Sequence, residues 1–176
     1  MSKLFFTADT HFGHESILRL CKRPFDSPEA MDEILIARWN SKVAPNDLVY
    51  HLGDISFRAG KPPQDYLERL HGQIHLIIGN HDSREKLEGS PRLRSISDIK
   101  EISWKGQRIV LCHYPMREWP GAWSGAWHLF GHVHGNLDDQ PLGYSLDVGI
   151  DSHDYAPLAV EEIAAIMATR DKHFGS

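Results

Sequence analysis

Cysteine is scarce in this sequence, which has only Cys21 and Cys112 among its 176 residues. Two cysteines are too few for a disulfide framework. The opening segment, MSKLFFTADTHFGH, lacks the long apolar stretch and the small-residue cleavage site of a secretory signal. We therefore expect two reduced thiols in a cytoplasmic protein.

Long apolar runs and an excess of basic charge are also missing. No run approaches the ~20 apolar residues of a membrane-spanning helix, so no membrane association is expected. The 19 Lys and Arg residues face 24 Asp and Glu residues, which gives a net charge of −5. Non-specific nucleic-acid binding needs a basic surface, so no stable nucleic-acid complex is expected. The 41% hydrophobic content and the absence of an internal repeat fit one domain over residues 1–176.

Short apolar runs alternate with helical patterns along the chain, which is typical of α/β proteins. The predicted strands lie in residues 3–9, 47–54, 73–82, 127–135 and 144–150, with a hairpin over 99–115. The predicted helices span residues 14–22, 27–43, 62–72 and 160–173. In the second helix Ser27 is the expected N-cap and Pro28 suits the first helical position.

Histidine is abundant, with twelve residues, and several of them follow the predicted strands. Almost every apolar strand ends in a residue type that binds metal. These residues are Asp9 and His11, Asp54, Asn80 and His81, His113, and the pair His132 and His134. Because ligands of open α/β sheets bind beyond the carboxyl ends of the strands, we expect these side chains to lie together.

Each block taken alone has a second interpretation. Asp9 and His11 are two residues apart, which places both side chains on one face of a strand, but a polar strand end has the same pattern. Asp54 suits a metal bridge or a turn. His113 suits a ligand or a buried core histidine. The segment GNHD over 79–82 carries more metal-binding groups than a turn needs.

The five blocks together are more specific: D-x-H, then G-D, then G-N-H-D, then a strand-end His, then G-H-x-H in FGHVHG. Their composition and order resemble those of the calcineurin-like metallophosphoesterases. The resemblance covers most of the chain, from Asp9 to His134. It implies an α/β fold in which a sandwich of two β-sheets is flanked by helices, with the site at the strand ends.

The resemblance also implies a role for each matched residue. Asp54 would bridge two metal ions, His81 would protonate the leaving oxygen, and Asp82 would orient His81 or a neighbour. The remaining ligands would divide into two sets, namely Asp9, His11 and His134 for one ion and Asn80, His113 and His132 for the other.

The chemistry of these side chains is consistent with that implication. Nitrogen and oxygen ligands suit Mn, Fe, Zn or Ni. Two such ions, about 3.5–4 Å apart, can hold a bridging hydroxide and each grip a phosphate oxygen. The expected activity is therefore metal-dependent hydrolysis of a phosphate mono- or diester, with a nucleotide among the possible substrates. The short chain leaves little room for a cap domain, and an open site favours diesters or a broad specificity.

Residues around the blocks have less definite roles. His14 fits a contact with the substrate phosphate or the start of a helix, and Arg117 fits a phosphate contact or a solvated surface position. Trp119, Trp123 and Trp127 would pack the loop onto the domain or stack on a nucleobase. Asp147, Asp151 and Asp154 receive no chemical role, with capping and turns as the expected uses and support of a metal ligand by one of them as the alternative. The histidines outside the blocks are expected to be structural or exposed: His51, His71, His75, His128, His153 and His173.

Two other functions stay open. A nuclease or nucleic-acid phosphatase would use the same metal core, with the basic segments RLCKR and PRLRS as candidate contacts. A non-catalytic metal-binding scaffold would have lost a ligand or the histidine of GNHD, whereas all of these residues are present. The native metal, the physiological substrate and the oligomeric state do not follow from the sequence.

Overall fold

Two β-sheets form the centre of the protein, described here from a computed structural model over residues 2–171. The first sheet has the strand order β4-β3-β2-β1-β9 and the second has the order β5-β6-β7-β8. Helices flank the sheets. The predicted two-sheet α/β sandwich is therefore confirmed.

The strands are short, and most bounds fall inside the predicted ranges. They are β1 Leu4–Thr7, β2 Leu48–His51, β3 Gln73–Ile77, β4 Leu93–Ser97, β5 Ile99–Trp104, β6 Gln107–Cys112, β7 Trp127–Phe130, β8 Ser145–Asp147 and β9 Leu158–Ala159. The helices are α1 Glu15–Leu20, α2 Pro28–Lys42, α3 Pro63–Leu67, α4 Arg84–Leu87 and α5 Val160–Met167. Over residues 2–171, every helix is too short or too polar to cross a bilayer.

Parallel pairing brings the ends of the important strands to one edge. Strands β1 to β4 are parallel neighbours in the first sheet, and β6, β7 and β8 are parallel neighbours in the second. The carboxyl ends of parallel strands meet at the same edge of a sheet. The residues after β1, β2, β3, β6 and β7 therefore lie where the sequence blocks predict a site.

Side-chain alternation along the strands separates two hydrophobic cores. Phe6 and Ile77 belong to the core between the two sheets, whereas Phe5 and Leu76, their chain neighbours, pack with α2. This follows from the period of two in a strand. Helix α2 begins as predicted, because Ser27 Oγ accepts the backbone N–H of Ala30 at 3.1 Å.

Several predicted boundaries differ from the structure. The first strand ends at Thr7 rather than Asp9, because Asp9 has a left-handed backbone (φ 57°) that does not continue a strand. The last helix ends at Met167 rather than at residue 173, and residues 172 and 173, including the predicted exposed His173, lie outside the described residues. The basic segment PRLRS contains the start of β4. The strand was not predicted, because its residues are of mixed polarity.

The tryptophan-rich loop after β6 packs on the second sheet. Trp119 is buried and its indole N–H donates to the Ala126 carbonyl at 2.8 Å, while Trp127 is buried against Trp104. Both contacts agree with the packing role. Trp123 is 59% exposed, and its indole N–H donates to Glu118 at 3.0 Å.

His128 fastens this loop to the sheet from a fully buried position. Its Nε2 accepts the Met116 backbone N–H at 3.0 Å, so the proton resides on Nδ1, which donates to the Val110 carbonyl at 3.1 Å. Burial is the main reason that the pKa of His128 falls to about 4. The ring is therefore neutral in the folded protein at neutral pH.

This arrangement predicts a stability loss in mild acid. The unfolded chain, with a histidine pKa near 6.5, takes up the proton first as the pH falls, so the folding free energy that depends on neutral His128 is lost between about pH 6.5 and pH 4. We expect His128→Gln to remove about 2 kcal/mol of the destabilisation between pH 7 and pH 5. Urea unfolding at the two pH values measures this difference.

The matched control is His71→Gln, because His71 is an exposed histidine. It should keep the pH dependence of the wild type. An equal pH dependence in the His128→Gln variant and the wild type would contradict the assignment.

Candidate metal centre

The predicted ligands lie on backbone that amino acids other than glycine usually avoid. Five of the seven have positive φ angles, namely Asp9 (57°), His11 (49°), Asp54 (59°), His132 (73°) and His134 (50°). Each such conformation costs on the order of 1–3 kcal/mol and persists only where its surroundings enforce it. Their concentration at one sheet edge indicates a site whose geometry is maintained at the expense of stability.

Asn80, His113 and His132 form the first of two groups of candidate ligands, called the ligand groups below. Asn80 Oδ1 lies 3.0 Å from His113 Nε2 and 2.8 Å from His132 Nδ1. His113 Nδ1 lies 2.7 Å from the Leu52 carbonyl, to which it donates, so Nε2 presents its lone pair to Asn80. An amide oxygen and an imidazole lone pair both attract a cation.

Asp9, His11 and His134 form the second group, and their donor atoms lie within 4.8 Å of one another. Asp9 Oδ1 and both ring nitrogens of His11 are buried and have no hydrogen-bond partner among the described residues. Burial raises the pKa of Asp9 well above its usual value and lowers that of His11. A buried set of unpartnered lone pairs fits a divalent cation, which compensates for their desolvation.

Asp54 faces both groups with the same oxygen. Its Oδ2 lies 3.5 Å from His11 Nε2 and 3.6 Å from His113 Nε2. Its other oxygen, Oδ1, accepts the backbone N–H of His81 at 2.8 Å. One carboxylate oxygen therefore stands between the two ligand groups, as a bridging ligand requires.

Glycines allow this close packing of loops. A Cβ on Gly79 would overlap Asp54 Oδ1 and lie 2.5 Å from Asp54 N, while a Cβ on Gly131 would lie 2.5 Å from Asp9 Oδ2. Neither glycine has a positive φ angle, so the requirement is for space and not for an unusual backbone conformation.

Arg23 is a central residue of the site that sequence reasoning missed. Its side chain is fully buried and donates to the backbone carbonyls of Asp9 at 2.7 Å and Thr10 at 2.9 Å. It also makes two hydrogen bonds, at 2.8 and 2.9 Å, to Asp151. The interpretation of its segment, RLCKR, as a nucleic-acid contact is wrong for Arg23, because all of these donors point into the protein.

Asp151 connects Arg23 to a predicted ligand. Its Oδ2 lies 2.8 Å from His134 Nδ1, which leaves His134 Nε2 for a cation. Burial lowers the pKa of His134, but the hydrogen bonds to Asp151 and Cys21 and the charge of Asp9 outweigh it and raise the pKa to about 10. Asp151 is therefore neither a cap nor a simple turn residue.

Asp82 acts on its neighbours and not on the ring of His81. Its carboxylate accepts the backbone N–H groups of Asp54 at 2.8 Å, Ile55 at 2.9 Å and Gly79 at 2.9 Å. It therefore ties the Asp54 loop to the GNHD loop. We therefore assign Asp82 a positioning role in place of the expected catalytic one.

His81 and His14 lie beside the ligand groups. Each ring centroid is 5.4 Å from that of His11, and His81 also packs on Phe57 at 4.0 Å. His14 is buried and is the N-cap residue of α1, without a side-chain cap bond. His14 therefore lies both beside the candidate ligands and at the start of a helix, the two positions considered for it.

Among the described residues, the other candidate side chains make no hydrogen bond to the candidate ligands. Arg117 is exposed, and no hydrogen bond or ion pair connects it to these ligands within residues 2–171. Asp147 is buried and accepts the backbone N–H groups of Gly135 at 2.9 Å and Gly149 at 2.7 Å, whereas Asp154 pairs with Arg38. Cys112 is buried, and both cysteines are free thiols.

Comparisons with known proteins agree with this geometry. A family model described as calcineurin-like phosphoesterase matches residues 2–147. The uncharacterized protein MJ1445 of Methanocaldococcus jannaschii is 33% identical over 174 residues, which cover 95% of this chain and 92% of that protein. The Gene 66 protein of Mycobacterium phage L5 is 35% identical over 85 residues, 47% of this chain and 41% of that protein.

A solved structure is similar over nearly the whole chain. It is the crystal structure of AQ665, a protein of unknown function from Aquifex aeolicus, with a TM-score of 0.75 and 27% sequence identity. The similarity covers 94% of this chain and 100% of that one.

The packing around Gly79 generates a prediction. Gly79→Ala should displace Asp54 and lower the free energy of unfolding by about 1–3 kcal/mol. It should also abolish the rise in melting temperature that is expected when Mn²⁺ binds the folded state. Thermal unfolding with and without Mn²⁺ measures both effects. Gly60→Ala is the control, because nothing lies within 4 Å of the position that its Cβ would take, and it should respond to Mn²⁺ like the wild type. A normal Mn²⁺ response in Gly79→Ala would contradict the assigned role of Asp54.

A second prediction concerns Asp151. Asp151→Asn removes the charge that orients His134 and should weaken metal binding about 10- to 100-fold, as loss of such partners typically does. Titration calorimetry with Mn²⁺ measures the affinity. Asp154→Asn is the control, since Asp154 makes a surface ion pair with Arg38. Equal affinities in the two variants would show that Asp151 does not support the metal ligand.

Proposed function

The chain belongs to the calcineurin-like phosphoesterase family, and from this premise we propose that it hydrolyses a phosphate mono- or diester at a centre of two divalent metal ions. Membership of the family makes the protein a metal-dependent phosphoesterase. The observation that carries the two-metal proposal is the position of Asp54 Oδ2, at 3.5 and 3.6 Å from ligands of both groups.

The proposed ligand sets follow the two groups. Asp54 serves both ions, and the other ligands are Asp9, His11 and His134 for one ion and Asn80, His113 and His132 for the other. Two carboxylates against two dications leave a net positive charge, which attracts an anionic phosphate. Nitrogen and oxygen donors of this kind suit Mn, Fe, Zn or Ni.

When bound, the metal ions supply an activated water and the charge that holds the phosphate. His81 protonates the leaving oxygen in this proposal. Two contacts support its placement: Asp54 accepts its backbone N–H, and the ring of Phe57 packs against its imidazole. General acid catalysis of this type contributes about 10²- to 10⁴-fold to the rate.

The surroundings of the centre favour an open site. His132 is exposed and Tyr114, whose ring packs 4.8 Å from it, is 46% exposed. An open site accommodates the two substituents of a diester, so we place diesters ahead of monoesters. His14 is the proposed additional contact to the phosphate, and the exposed Arg117 is the second candidate for such a contact.

The first test of the function is hydrolysis of bis-p-nitrophenyl phosphate and p-nitrophenyl phosphate, with glycerol 2-phosphate as an alkyl ester. Metal-stripped protein receives Mn²⁺, Ni²⁺, Zn²⁺ or Mg²⁺, beside the variants His81→Ala and Asp54→Asn. Asp54→Asn should lose both metal binding and activity. His81→Ala should retain metal binding and lose about 10²-fold or more in kcat on alkyl esters, with a smaller loss on p-nitrophenyl esters, whose leaving group needs no proton.

The control is His71→Ala, which changes an exposed histidine away from the centre and should behave like the wild type. Equal losses of His81→Ala on alkyl and p-nitrophenyl esters would remove the general-acid role. Two bound ions without activity on any ester would favour the scaffold, and faster cleavage of monoesters would reverse the order of substrates.

A further inference from the structure

A cleft of about 600 Å³ opens beside His81. Two segments form its walls, residues 56–63 after β2 and residues 81–86 after β3. Phe57 stands where the cleft joins the centre, because its ring packs on His81 at 4.0 Å and on His14 at 5.0 Å. A group that leaves from phosphorus next to His81 therefore has this cleft as its neighbouring space.

The cleft is basic although the chain as a whole carries a net charge of −5. Arg58, Lys61 and Lys86 line it and are exposed. Within the described part of the chain, none of the three makes an ion pair. The only acidic residue in the lining is Asp82, and its oxygens are occupied by three backbone N–H groups.

The arrangement of these cations favours a small ligand. The volume falls within the usual range of about 300–1,000 Å³ for small-molecule sites. Arg58 also lies over the ring of Phe57, 5.1 Å from its centroid, so a charged donor and an apolar surface adjoin each other near His81. Lys61 also borders a second depression with Asp65 and Glu68, whereas Arg58 and Lys86 are absent from the lining of that depression.

We propose that this cleft binds the leaving group of the substrate and that the leaving group itself carries a phosphate. The inference rests on the proposed function, since it takes His81 as the residue next to the leaving oxygen. The substrate class is then a phosphate ester with a second phosphate on the side of the leaving group. Lysine and arginine are the usual partners of phosphate oxygens.

The test compares ligands that differ by one phosphate. Thymidine 5′-monophosphate and thymidine 3′,5′-bisphosphate form one pair, and fructose 6-phosphate and fructose 1,6-bisphosphate form the same pair without a base. Their dissociation constants are measured by calorimetry on metal-loaded protein, and their inhibition constants against bis-p-nitrophenyl phosphate hydrolysis. Inorganic phosphate serves as the reference ligand for the metal centre.

The proteins compared are the wild type, the cleft variant Arg58→Gln/Lys86→Gln and the control variant Lys42→Gln/Lys105→Gln. The control makes the same change in net charge, and its lysines lie at the C-terminus of α2 and at the β5–β6 turn, at the opposite end of the sheets from the site. In the wild type and the control, we expect the bisphosphate to bind roughly tenfold more tightly than the monophosphate. In the cleft variant this ratio should fall below about twofold.

Three results would overturn the proposal: equal affinities within a pair in the wild type, a ratio that persists in the cleft variant, or a ratio lost equally in the control. A gain with the thymidine pair alone would assign part of the recognition to the base, and a gain with both pairs would assign it to the phosphate. Failure of the proposed function is separate, since it would appear as no ester hydrolysis with any metal while calorimetry still decides the cleft.

Discussion

The structure of the site depends on one constraint. Atoms that bind cations lie close together at the same edge of the two sheets. Asp54 Oδ2, His113 Nε2 and Asn80 Oδ1 face one another, and the nitrogens of His11 are buried without partners in the described chain. Carboxylate oxygens and imidazole lone pairs that face each other in a low dielectric repel. The fold therefore keeps together a set of groups that becomes favourable when positive charge lies among them.

The protein maintains this arrangement with a rigid frame. Arg23 holds the carbonyls of Asp9 and Thr10 from inside, and Asp82 holds the backbone N–H groups of the Asp54 and GNHD loops. Most of the hydrogen bonds of these two side chains go to backbone groups of the ligand loops or, for Arg23, to Asp151. The five left-handed residues explain why such a frame is needed, because their backbone would relax if these hydrogen bonds were absent.

The candidate ligands are easier to identify from the sequence than the residues that hold them in place. The five blocks are local patterns at strand ends, and parallel pairing brings them to the same edge of the sheets, so their proximity follows from chain order and topology. Their division into two sets comes from the family resemblance alone. Arg23 and Asp151 are 128 positions apart, and no local spacing marks their contact. Strand β4 escapes prediction for a related reason: it is a mixed-polarity edge strand, without the apolar run that identifies β2 and β3. Sequence periodicity records which face of an element is buried, but not which distant side chain it meets.

The proposed catalytic residues and the proposed substrate-binding cations lie in different parts of the site. Under the proposed function, the ligand residues act on the phosphate group that all phosphate esters share, so they carry little information about the rest of a substrate. The acidic chain repels anions at long range, whereas the basic cleft beside His81 concentrates positive potential at one mouth of the centre. This potential does not strengthen the binding of a neutral ester. A long polyanion is attracted by it only along the length of one cleft. The segments after β2 and β3 carry Asp54 and His81 and also form the walls of the cleft. Under the proposed function, changes in these two segments alter substrate preference while the strands that carry the remaining candidate ligands stay the same.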